Sequence, residues 1–190
     1  MGIAGSDPFR ILAVCTANIS RSPAVELLLR TELDGSVQVD SAGVFARPGT
    51  AIDPIVADYL ESVGIASAGF SSRPVTESML RAADLVLTLT RAHREAALQL
   101  APAVVRRIFT LTEFAAIVCR IDLTAVPKTA TAGQRLAAIV PLAGVSRPLA
   151  GLTAAEFDVP DPHGGSAADY DRALRLIVAA TRAIGLVGRG

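Results

Sequence analysis

The sequence predicts an α/β fold built on a parallel sheet. Short apolar runs alternate with segments of helical periodicity along most of the chain. The first apolar run ends in a polar loop that leads into a helix start. No internal repeat or long low-complexity block competes with this pattern. At 190 residues the chain is one domain, spanning 1–190, long enough to bury a core without metal or disulfide staples.

The elements follow in order. Phe9 to Val14 is a continuous apolar run, the signature of a buried strand. Ser22 and Pro23 are expected as N-cap and first residue of a helix, with Val25, Leu28, Leu29 and Leu33 at helical spacing and Gly35 beyond. Val37-Gln38-Val39 alternates as a second strand. Asp53-Pro54 opens another helix, whose apolar face is expected to be Ile55, Tyr59, Leu60 and Val63, with Gly64 as the stop. Leu85 to Leu89 and Val104 to Phe109 are the third and fourth strands, and Thr112 is a candidate cap for the helix that follows. Ser166 and Asp169 form a capping-box pattern before a final helix, with Tyr170, Ala173, Leu174, Ile177 and Ile184 on one face. Residues 121–156 carry three prolines and weak periodicity and are expected to be an inserted helical excursion or loop.

Composition narrows the function. Apolar residues make up 51% of the chain and charged residues 19%, which opposes intrinsic disorder. Lys plus Arg and Asp plus Glu are 18 each, so no general electrostatic grip on nucleic acid or an anionic membrane is expected. No apolar run reaches the length of a membrane span. Met1 to Arg10 lacks a charged start followed by an apolar core, so no signal peptide is expected; Met1-Gly2-Ile3-Ala4-Gly5-Ser6 fits the myristoylation pattern by chance. Two cysteines, Cys15 and Cys119, make no disulfide framework. Cytoplasmic localisation is the expectation. Two isolated histidines, His93 and His163, make no metal spacing; neither a metal nor a cofactor is expected. His93 is expected at the surface of a helix over 91–100, and Cys119 in the core.

The informative segment is Cys15-Thr16-Ala17-Asn18-Ile19-Ser20-Arg21-Ser22-Pro23. A cysteine closes a strand, five residues intervene, and an arginine opens a helix. Such a junction aims successive backbone N–H groups and a helix N-terminus at one point and so cradles an anion. The same field stabilises a thiolate, which makes Cys15 the candidate nucleophile. Arg21 can chelate two phosphoryl oxygens while offsetting transition-state charge. The Ser22 hydroxyl is placed to hydrogen-bond the sulfur.

These residues resemble the low-molecular-weight protein tyrosine phosphatase family, in its bacterial form. The resemblance extends through Glu26, Val39-Asp40-Ser41-Ala42-Gly43, Arg73-Pro74-Val75, Ala83-Asp84-Leu85-Val86-Leu87 and Asp161-Pro162-His163. It implies a three-layer domain with a central four-stranded parallel sheet flanked by helices, and metal-independent hydrolysis of phosphotyrosine or another phosphomonoester through a phosphocysteine. Cys15 would attack phosphorus, Arg21 and the loop amides would bind the phosphate, and Asp161 would be general acid and then base. Asp158 competes for that role; Pro162 and Gly164-Gly165, which shape a loop able to cover the pocket, favour Asp161. Asn18, Ser22 and Ser41 would support the loop, and Phe45 and His163 would wall the substrate ring. The chain departs from the family at Ala17 (usually Gly), Ser20 (often Cys), Phe70 (often His) and His163 (usually Tyr or Trp). The missing Trp near Phe45 is similar to members linked to exopolysaccharide regulation, which makes a tyrosine kinase of exopolysaccharide synthesis the implied partner. An arsenate reductase on the same fold would need an external thiol here, since only Cys119 remains; a non-catalytic phosphoprotein-binding module is the other alternative.

Overall fold

The computed structural model describes residues 7–127, 130–153 and 155–190. The myristoylation-like stretch at Met1–Ser6 lies outside them, as does Lys128, the sole lysine. The four strands are β1 (Phe9–Cys15), β2 (Val37–Gly43), β3 (Leu85–Thr88) and β4 (Ile108–Thr110). They form one parallel sheet in the order β2-β1-β3-β4. β1 is central and pairs in register with β2 to its last residue, where Cys15 faces Gly43.

Side chains alternate across a strand, so β1 feeds two cores. Ile11, Ala13 and Cys15 join the larger one, with α1 (Arg21–Glu32), α5 (Leu111–Val118), α6 (Ala132–Val145) and α7 (Ala167–Arg189). Leu12 and Val14 join the smaller one, with residues of α3 (Glu77–Ala82) and α4 (Arg91–Leu100). The result is three layers, helix–sheet–helix, with the C-terminal ends of the strands left for loops. α7 buries Tyr170, Ala173, Leu174, Ile177 and Ile184, as its spacing predicts, behind a Ser166–Asp169 capping box.

Several expectations are corrected. α1 starts at Arg21 with Ser20 as N-cap, so the loop winds straight into the helix; Pro23 sits in the first turn, where a missing N–H costs nothing. α2 (Pro54–Ser62) is capped by Asp53, but it buries Val56 and Leu60, leaving Ile55 and Val63 half exposed. β4 starts at Ile108, because Pro102–Val104 is a single 3-10 turn. Thr110, in a capping box with Glu113, caps α5; Thr112 instead donates to the Phe157 carbonyl. The 121–156 stretch holds α6 and a 3-10 turn at Arg147–Ala150. α6 lies close against the start of the sheet: a Cβ on Gly133 would stand 2.7 Å from the Ser36 carbonyl oxygen. Cys119 is exposed, at the C-cap of α5, and His93 is buried. α3 has no counterpart in the sequence reading.

Candidate active site

The chain between β1 and α1 is held from three sides. Below it lies Gly43: a Cβ there would fall 2.4 Å from the Thr16 carbonyl oxygen and 2.9 Å from the Asn18 nitrogen, so only glycine lets β2 approach. The amides of Val44 and Phe45 donate to the carbonyls of Cys15 and Thr16, and the amide of Asp53 donates to that of Ile19. Asn18 is the one non-glycine residue with positive φ (55°) among the described residues. Its side chain justifies that strain. Nδ2 donates to Ser22 Oγ (3.0 Å) and Ser41 Oγ (2.8 Å), and Oδ1 accepts from the Arg73 amide (2.9 Å). Both N–H donors of the amide are therefore used, and its oxygen accepts one bond. Because Asn18 alone takes positive φ, Ala17 fits where the family prefers Gly. Phe70 stands apart from this network and packs against the larger core.

Ser41 passes the network on by donating to Glu26 Oε2 at 2.5 Å. Burial pushes the Glu26 carboxyl up from its usual range, while the Ser41 hydroxyl and the Arg30 guanidinium pull it down.

At the base of the loop, Cys15 Sγ lies 3.0 Å from Ser22 Oγ. Ser22 already accepts from Asn18, so its single hydrogen has two candidate acceptors: Sγ, or the Ala42 carbonyl at 3.4 Å. The shorter contact assigns it to sulfur. Arg21 is 4% exposed, an isolated cation unless partnered. Nη1 donates to the Val159 carbonyl (3.2 Å), and Nη2 to Thr16 Oγ1 (3.2 Å) and to Asp161 Oδ2 (2.5 Å). Its Nε is buried without a protein partner among the described residues, a donor suited to an oxyanion.

The segment carrying Asp161 is anchored at both ends. The Val159 amide donates to the Leu89 carbonyl at the end of β3 (2.8 Å). Asp158 accepts from the Arg91 amide (2.7 Å) and pairs with its guanidinium, which commits it to the start of α4. Asp161 alone of the two carboxylates reaches Arg21. Beyond it, His163 Nδ1 lies 3.2 Å from Asp53 Oδ2, which also accepts from the Tyr170 hydroxyl (2.8 Å). Asp53 thus caps α2, receives α7 and ties back the segment that carries Asp161, a role that its helix-opening position does not reveal. Phe45 is 80% exposed beside the loop to which its amide is bonded. His93, expected at the surface, is buried instead, and its Nε2 is 2.9 Å from Thr16 Oγ1.

A strand-end cysteine and a helix-first arginine flank one loop of a parallel α/β sheet, an arrangement suited to holding an anion. Comparison with known proteins agrees. The family described as low molecular weight phosphotyrosine protein phosphatase matches residues 10–127. The protein-arginine-phosphatase of Bacillus subtilis (strain 168) is 38% identical over 107 residues, 55% of this chain and 71% of that protein. The low molecular weight protein-tyrosine-phosphatase Etp of Escherichia coli (strain K12) is 40% identical over 94 residues, 50% of this chain and 63% of Etp. Among solved structures, the YwlE arginine phosphatase from Geobacillus stearothermophilus superposes with a TM-score of 0.68 at 26% identity, covering 94% of this chain and 92% of that one. Vibrio vulnificus Wzb in complex with benzylphosphonate gives 0.67 at 22% identity, covering 94% and 97%, which shows the shared fold. The chain belongs to the low molecular weight phosphotyrosine protein phosphatase family, and its enzyme class is that of a phosphatase.

Proposed function

We propose that the protein hydrolyses phosphotyrosine in proteins through a phosphocysteine, with Cys15 as nucleophile, Arg21 as phosphoryl clamp and Asp161 as general acid and base. The observation that carries this is the convergence on one loop of the Cys15 sulfur with its Ser22 donor, the buried Arg21 and the Asp161 carboxylate. In the first step the Cys15 thiolate attacks phosphorus and the P–O(aryl) bond breaks as Asp161 gives its proton to the departing oxygen. In the second, Asp161 takes a proton from water, which attacks phosphorus and releases the thiolate. The Ser22 hydroxyl stabilises that thiolate in both steps, and the amides from Thr16 to Ser22 with Arg21 hold the equatorial oxygens. This mechanism uses no metal or cofactor.

Phe45 and the half-buried Ile19 supply apolar surface beside the loop for an aromatic ring, with His163 at the rim. This favours phosphotyrosyl proteins; a tyrosine kinase of exopolysaccharide synthesis is the proposed partner. The Bacillus relative supports a second reading, phosphoarginine. Purified enzyme is tested on peptides of one sequence carrying either phosphoresidue, beside the Cys15→Ser variant. Turnover of phosphotyrosyl peptide by the wild type and none by Cys15→Ser is expected; retained turnover in the variant refutes the nucleophile, and preference for phosphoarginine refutes the substrate.

A further inference from the structure

His93 lies on α4, across the site from the loop helix, yet it is only 6% exposed. Its Nε2 is 2.9 Å from Thr16 Oγ1, the oxygen that also accepts from Arg21 Nη2 at 3.2 Å. Its Nδ1 is buried and has no hydrogen-bond partner among the described residues. A buried N–H without an acceptor costs more than a bare ring lone pair, so the ring proton is assigned to Nε2. Nε2–H then donates to Thr16, whose oxygen receives one hydrogen from the imidazole and one from the guanidinium. The hydroxyl's own hydrogen is left for a third partner, and a phosphoryl oxygen held by Arg21 is the acceptor that the site brings to it.

We propose that His93 is a positioning residue for the phosphoryl clamp: acting through the Thr16 hydroxyl, the neutral imidazole fixes the Arg21 guanidinium and aims the Thr16 hydrogen at the substrate phosphoryl group. The proposal rests on the phosphatase reading above and extends it to two residues beyond the cysteine, arginine and acid. Neutrality suits the task, since an imidazolium would stand beside Arg21 and compete with it for Asp161. The charged groups facing the ring are Arg21, Asp161 and Asp158; burial and then Arg21 push the imidazole down to about 4, against the pull of the two carboxylates.

The test is a cycle of His93→Leu, Thr16→Val and the double variant, with His93→Gln and Thr16→Ser as conservative replacements. A Gln amide can place a donor near the position of Nε2, and Ser keeps the hydroxyl. Inhibition by inorganic phosphate, kcat and KM for p-nitrophenyl phosphate, and calorimetric phosphate binding are read for each. His93→Leu and Thr16→Val are expected each to weaken phosphate binding about ten- to a hundredfold, the loss of one hydrogen bond to a charged group. The double variant should be no worse than Thr16→Val, and the conservative variants should stay within about twofold of wild type. Unchanged phosphate binding in His93→Leu, additive losses in the double variant, or a His93→Gln variant as weak as His93→Leu overturns the proposal. Should His93→Leu fail to fold, Thr16→Val with wild-type phosphate binding overturns it alone. A wild type that binds phosphate but does not turn over p-nitrophenyl phosphate refutes the phosphatase reading instead, while the binding series still decides the role of His93.

Discussion

The Arg21–Asp161 contact has a measurable consequence. Arg21 Nη2 cannot give the same hydrogen to Asp161 Oδ2, 2.5 Å away, and to a phosphoryl oxygen. A phosphate dianion entering the cradle must therefore displace the carboxylate and tolerate its like charge nearby. On the proposed mechanism, substrate binding and acid positioning become one event: the carboxylate freed from Arg21 is the one that then faces the leaving group. Asp161→Ala removes the competitor. The pair joins a 4%-exposed guanidinium to a 48%-exposed carboxylate, so it falls between a surface pair and a buried charge-assisted bond. A value of about 1 kcal/mol follows, and inorganic phosphate should bind roughly fivefold more tightly to Asp161→Ala than to wild type. Over the same change, kcat for phenyl phosphate should fall about 10²–10⁴-fold through loss of general acid catalysis, and less for p-nitrophenyl phosphate, whose leaving group needs little protonation. Inhibition constants for phosphate and a leaving-group series measure both. Weaker phosphate binding in Asp161→Ala refutes the competition, and the same leaving-group signature in Asp158→Ala refutes the acid assignment.

Other expectations follow from single contacts. Ser22→Ala removes the hydrogen donated to Cys15 Sγ and should slow thiolate departure about 10–100-fold, so that a stoichiometric burst of p-nitrophenolate precedes a slow steady state; unchanged kcat without a burst rejects the role. Gly43→Ala drives a Cβ into the Thr16 carbonyl and should cost about 1–3 kcal/mol in urea unfolding and weaken phosphate binding; a variant with wild-type midpoint and phosphate affinity rejects the close approach. His93 is held neutral, with its pKa pushed down to about 4 from 6.5, so the unfolded chain binds the extra proton first as pH falls. Stability should be full above about pH 6.5 and decline towards pH 4, by on the order of 2 kcal/mol once solvent screening is allowed for, and this slope should be absent in His93→Leu. Peroxide should add oxygen to Cys15 without forming a disulfide across the loop, because Ser20 has no sulfur; a mass loss of two hydrogens within one chain, recovered on reduction, contradicts this.

What could be read in the sequence and what could not divide along a physical line. The strand–loop–helix junction is local: a buried apolar run, a polar turn and an arginine-led helix are contiguous, so Cys15, Arg21 and the loop between them are legible as one candidate anion cradle. The capping box at Ser166 and the buried face of α7 are legible for the same reason. What escaped depends on partners far along the chain. Asp53 looks like a helix cap and is one, but its second oxygen serves Tyr170 and His163, more than a hundred residues away. His93 has polar neighbours in sequence, which suggest a surface position; the fold turns its face of α4 onto Thr16 and buries it with Ala97, one helical turn on. Cys119 is the opposite case: its apolar run points to the core, but it lies past the last turn of α5 at an exposed cap. The choice between Asp158 and Asp161 is the sharpest case. Three residues separate them, and only the Arg91 amide and guanidinium, which hold Asp158 at the start of α4, leave Asp161 as the carboxylate that meets Arg21. The proposed nucleophile and clamp are therefore properties of a segment, whereas the proposed acid and its positioning groups are properties of the tertiary fold.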